Sequence, residues 1–81
     1  MVYHGVAGRL ERRFGLGGNP ELRRALYRRL ECMIDEQGEP MYRLVATAAA
    51  EASGKEDPGR WFAKVVCLRI RESGLIPPPE L

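Results

Sequence analysis

Eighty-one residues, 44% apolar and 30% charged with a formal net charge of +2, fit one globular domain with a modest core and exclude a disordered chain, a collagen-like repeat or a large catalytic cleft. Cys32 and Cys67, the only two cysteines, have no neighbouring cysteine or histidine to complete a metal knot, so they read as reduced thiols of a cytoplasmic protein. No apolar run approaches the ~18 residues of a membrane span and no basic-then-apolar leader opens the chain, so a membrane partner is not expected.

Proline-in and glycine-out punctuation recurs three times, from Asn19-Pro20 to Gly38, from Pro40 to Gly54 and from Asp57-Pro58 to Gly74. Proline at a first helical position wastes no N–H, Asn19 and Asp57 can accept from free amides, and glycine offers a left-handed exit. The pattern predicts an all-α chain, a small orthogonal bundle of four helices at about 2–14, 20–37, 40–53 and 58–73.

In the first helix, Tyr3, Ala7, Leu10 and Phe14 share a face, while Gly5 and Gly8 weaken its start and allow it to shift toward Val6. Gly15-Leu16-Gly17-Gly18 ends it. The second helix places Leu22, Leu26, Leu30, Met33, Ile34 and Gln37 on one arc with Tyr27 at the border. The third carries five alanines and leaves only Arg43, Thr47 and Glu51 as a polar stripe, so it is expected to be the most buried, with neighbouring backbones close against it. The fourth offers Trp61, Phe62, Val65, Val66, Leu68 and Ile70, and the domain is expected to close on Trp61. Leu75 and Ile76 can pack back on a domain of residues 1–76, and Pro77-Pro78-Pro79 begins a non-helical tail or linker at 77–81.

The modest net charge hides segregation. Residues 1–30 hold seven arginines against Glu11 and Glu21, whereas residues 31–57 hold seven acids against Arg43 and Lys55. Within the second helix, Arg23, Arg24, Arg28 and Arg29 precede Glu31, Asp35 and Glu36, an order that opposes the helix dipole at both ends and calls for tertiary pairing or a ligand. Arginine outnumbers lysine eleven to two. Its planar fork suits phosphate, although a GC-rich genome produces the same bias.

On the fourth helix, Arg60, Lys64, Cys67 and Arg71 recur at helical spacing and put three positive charges on one stripe. The third and fourth helices, joined by Gly54-Lys55-Glu56-Asp57, are weakly compatible with a helix-turn-helix, with Ala50 four residues before the turn glycine. Arg60 departs from that pattern by standing where the short-turn form has an apolar residue, and Glu56 and Asp57 oppose close approach to phosphates. An ordinary solvated basic face is the plainer reading.

Other candidates carry less. The glycine-rich segment 15–18 lacks a preceding strand and the lysine of a P-loop, so a flexible turn is favoured over a phosphate cradle. His4 is the only histidine and no nucleophile is arrayed with it, so no enzymatic activity, catalytic residue or cofactor is expected. Glu31 and Asp35, one turn apart, read as a solvated face rather than a cation site, and no metal site is expected. Trp61 with Phe62 can be read as a stacking platform beside Arg60, but core packing is favoured. The leading functional expectation is a nucleic-acid-associated binding module, for DNA or a nucleoprotein complex, that uses Arg9, Arg12, Arg13, Arg23, Arg24, Arg28, Arg60, Lys64 and Arg71. The alternative is a protein-interaction or self-association module in which the basic half meets an acidic protein surface.

Overall fold

In a computed structural model that describes residues 5–74, the chain forms four helices: α1 (Val6–Phe14), α2 (Pro20–Gln37), α3 (Glu39–Ser53) and α4 (Pro58–Ser73). No strand occurs among the described residues, and the expected all-α bundle is what the chain builds. Tyr3, His4, the packing of Leu75 and Ile76, and the proline tail lie outside the described residues.

Local chemistry sets most of the boundaries. Asn19 Oδ1 accepts from the Leu22 amide at 3.2 Å and Asp57 Oδ1 from the Arg60 amide at 3.4 Å, and a cap of this kind is worth about 1 kcal/mol. Proline follows each of the two. Gly38 closes α2 and opens α3 at once: its N–H donates to Ile34 at 2.7 Å and its carbonyl accepts from Tyr42 at 3.2 Å. The backbone there has φ 77° and ψ −149°, a conformation that side chains resist. Helix α3 thus starts at Glu39, one residue ahead of Pro40, with a carboxylate in its first turn where the dipole favours it.

The left-handed glycine exit holds at Gly74, with φ 79° and ψ 4°, but not at Gly54, where φ is −90° and any residue fits. Helix α3 instead ends by tightening, with the Lys55 amide donating to Ala52 at 3.0 Å, and Ser53 Oγ donating to the Ala49 carbonyl at 2.8 Å.

Helix α1 packs chiefly on α2 and α3 chiefly on α4, with α2 against α3 joining the pairs. The core draws Val6 and Leu10 from α1, Leu26, Tyr27, Leu30, Met33 and Ile34 from α2, Met41, Val45, Ala48, Ala49 and Ala52 from α3, and Phe62, Val66 and Ile70 from α4. With five of fifteen residues buried, α3 has the largest buried share of any helix. It is not wrapped on all sides, because Ala46 and Ala50 are exposed.

Three expected core positions, Leu22 on α2 and Trp61 and Leu68 on α4, are exposed. On α2, Leu22 is 46% exposed and Tyr27 is 1% exposed, the reverse of the expected order. On α4, Trp61 is 44% and Leu68 51% exposed, while Phe62 is fully buried. The domain closes on Phe62, not on Trp61. The reason lies in its neighbours: the Phe62 ring stacks on Phe14 with centroids 4.6 Å apart and planes at 11°, and meets Tyr27 at 6.3 Å and 48°. Gly59, one turn earlier, lies buried against the Phe14 backbone. That docking turns Phe62, Val66 and Ile70 inward and Trp61 outward.

Removing the Phe62 ring leaves a cavity where three helices meet, so Phe62→Ala is expected to lower unfolding free energy by about 3–5 kcal/mol in urea denaturation. A Cβ at Gly59 would stand 2.8 Å from the Phe14 carbonyl oxygen and 3.1 Å from Arg23 Nη1, whereas at Gly54 it would meet nothing within 4 Å. The better helix propensity of alanine, about 1 kcal/mol, is outweighed at Gly59 by a clash with backbone that no rotamer change relieves. Gly59→Ala should destabilise by about 1–2 kcal/mol, and Gly54→Ala should stay within about 0.5 kcal/mol of the natural chain.

Candidate nucleic-acid interface

Because Gly59, Phe62, Val66 and Ile70 face inward, the helical period sends Arg60, Lys64 and Arg71 outward together with Trp61 and Leu68. All three cations are exposed, and none forms an ion pair among the described residues. Cys67, the fourth member of the expected stripe, is half-buried. Burial pushes its thiol pKa up, against the opposing positive charge of Arg71.

The remaining cation of α4 has a different role. Arg69 Nη2 lies 2.7 Å from Glu51 Oε1 on α3, and its Nη1 lies 3.2 Å from Glu72. The hydrogen bond from Arg69 lowers the Glu51 pKa, and the same bond raises that of Arg69. Arg69 is therefore a strut between α3 and α4.

Three of the six arginines proposed from α1 and α2 make contacts within the fold. Arg13 Nη2 donates to Ser53 Oγ at 2.6 Å, with its guanidinium carbon 5.5 Å above the Phe14 ring. Arg23 Nη1 donates to the Gly59 carbonyl at 2.5 Å. Arg24 lies 3.6 Å from Glu11 in a pair that is open to solvent. Arg9, Arg12 and Arg28, like Arg29, are exposed and have no ion-pair partner among the described residues.

The structure brings part of this set together. Arg23 and Arg60 line a cavity of about 430 Å³ with Phe14, Gly17, Gly18, Asp57 and Gly59. Arg60 also lines a second depression, of about 370 Å³, with Lys64, Trp61, Glu56 and Asp57. Arg71 sits further along the same helix, about 16 Å from Arg60 at 1.5 Å per residue. Arg9, Arg12, Arg13, Arg24 and Arg28 line neither depression.

Two participants escaped the sequence reading. Lys55, in the α3–α4 connection, places its Nζ 5.0 Å over the Trp61 ring, an attraction between cation and ring face that depends on how the turn folds. Glu31, expected to be a solvated carboxylate, accepts from the Ala7 amide at 2.9 Å. It caps α1, whose own N-cap is Gly5 and has no side-chain acceptor. Among the described residues no group of three or more histidine, cysteine or acidic side chains gathers to hold a metal ion, and no helix is long and apolar enough to cross a membrane.

Tyr27 anchors the glycine-rich loop, its hydroxyl donating to the Gly15 carbonyl at 2.8 Å. Burial raises its pKa above the ordinary 10.0, against the hydrogen bond and charge of Arg23. The folded state therefore holds this proton more tightly than the unfolded chain. Its contribution is complete below pH 10 and is lost as pH rises from about 10 toward the higher folded value. Alkaline denaturation should show that loss, and Tyr27→Phe should flatten it. The two thiols should also separate by rate, with exposed Cys32 alkylated by iodoacetamide before half-buried Cys67 in peptide-resolved mass spectrometry.

No family model matches this chain, and no curated protein or solved structure matches it.

Proposed function

We propose that this chain is a small cytoplasmic binding module for nucleic acid, with a recognition rather than a catalytic role, and that the outward face of α4 is its principal contact. One observation carries the reading: Arg60, Lys64 and Arg71 on α4, with Arg9, Arg12 and Arg28 on α1 and α2, point to solvent with no carboxylate partner among the described residues. Exposed ion pairs add at most about 1 kcal/mol to stability, so unpaired exposed cations have little to do with holding the fold. Six such groups suit the phosphates of a polyanion. The α3–α4 pair remains compatible with a helix-turn-helix, although Glu56 and Asp57 flank the entrance of α4.

A second reading, a protein-interaction module, is favoured by exposed Trp61 and Leu68 beside the α4 cations and by exposed Asp35 and Glu36 on α2. In that case sedimentation should show mass that grows with protein concentration and falls at high salt.

The nucleic-acid reading is tested by fluorescence anisotropy of a labelled oligonucleotide. With six phosphate contacts, affinity should fall about a thousandfold between 50 and 200 mM salt. Arg28→Glu combined with Lys64→Glu should weaken binding and reduce the salt slope by about 2, while thermal unfolding stays near that of the natural chain because both side chains are exposed and without an ion-pair partner. Absent binding, or binding indifferent to salt, would reject the reading.

A further inference from the structure

We infer that Trp61 is a base-stacking position, so that the α4 face takes unpaired nucleotides of a single strand in preference to a duplex; this rests on the nucleic-acid reading above. The chain has a single tryptophan, and the fold does not use it to close the core, a role that falls to Phe62. Trp61 is 44% exposed even with Lys55 Nζ 5.0 Å above the ring. Arg60 precedes it and Lys64 follows one turn later, and all three line one depression of about 370 Å³. An aromatic face among cations is the arrangement that binds single strands, the ring stacking on a base while the charges follow the backbone.

The acids at this site separate a single strand from a duplex. Glu56 and Asp57 line the same depression and repel a phosphate brought to it, as the rigid paired backbones of a duplex would do. A flexible strand can turn its phosphates toward Arg60, Lys64 and Arg71 and its base toward Trp61. Asp57 already caps the Arg60 amide at 3.4 Å. Glu56, exposed and outside any ion pair among the described residues, can then accept from an exocyclic amine of an unpaired base, as carboxylates do toward cytosine. In a duplex the faces of the bases are covered by their neighbours, and stacking on Trp61 requires unstacking first.

Since Trp61 is the sole indole, its emission reports the site directly. A mixed-sequence DNA 12-mer and its duplex are titrated into the full chain, with Trp61 emission and the anisotropy of a labelled strand read together. The single strand should quench the emission and bind about tenfold tighter than the duplex, which should leave the emission unchanged. Trp61→Ala should weaken single-strand binding about tenfold and leave duplex binding as it was, and Trp61→Phe should retain most of the preference. Equal binding of both forms without quenching, or single-strand affinity unchanged in Trp61→Ala, overturns the stacking site while the polyanion reading stands. Binding of neither form overturns both. Should Trp61→Ala fail to fold by circular dichroism, quenching in the natural chain and the Trp61→Phe affinity still decide.

Discussion

The approach of the Phe14 backbone to Gly59 is the contact that fixes the rest of the molecule. Phe14 ends α1, Gly59 lies in the first turn of α4, and the absence of a Cβ lets a main-chain carbonyl reach a position that any other residue would block. Around it, Phe62 stacks on Phe14 and meets Tyr27, Tyr27 holds the Gly15 carbonyl and Arg23 holds that of Gly59. Three helices are thereby tied at one point, each aromatic pair contributing about 0.5–1.5 kcal/mol beyond its buried area. The orientation of α4 about its own axis follows, and so does the composition of its outer face: with Phe62 pointing inward, its predecessor Trp61 points outward.

This dependence explains what could and could not be read from the chain. Capping by Asn19 and Asp57, and the boundaries they set, depend on residues three apart and were legible. So was the exposure of Arg60 and Lys64, since a helix of this composition has one charged side. The core face of α4 was not legible to the same degree. Trp61, Val65 and Leu68 form one apolar arc at helical spacing and Phe62, Val66 and Ile70 form another, one step around, and side-chain size pointed to the wrong one. Gly59 decides between them through a partner more than forty positions away in sequence, and a glycine inside a helical pattern is the one local sign of such a close approach. On α2 the same ambiguity reversed Leu22 and Tyr27, because the hydroxyl of Tyr27 finds its acceptor only once the glycine-rich loop has folded back. Lys55 over Trp61 and Arg13 on Ser53 likewise depend on the placement of whole helices.

The charge order of α2 opposes its dipole, and the fold offsets much of this through contacts with other elements. Arg24 faces Glu11 on α1, and Arg23 reaches the Gly59 carbonyl on α4. In the last part of the helix, Glu31 is drawn to the free amide of Ala7 at the start of α1, where a negative charge is favoured. A sequence feature that looks unfavourable within one helix is thus favourable between helices. Arg28, Asp35 and Glu36 are exposed, where solvent and salt screen them and the dipole penalty is at the low end of about 0.3–1 kcal/mol.

The separation between cations that build the fold and cations that do not gives the outer face of α4 its meaning. Arg13, Arg23 and Arg69 each join two helices or a helix and a loop end, and exchanging any of them disturbs packing together with charge. Arg60, Lys64 and Arg71 join nothing among the described residues. Like charges gathered on one helix face repel one another and weaken the compact state slightly. The scaffold can carry that cost because its stability comes from apolar burial and the Phe14–Phe62–Tyr27 cluster. On the proposed reading, binding and folding draw on different residues of the same helix: the inward row holds α4 in place, and the outward row of exposed cations takes no part in the core.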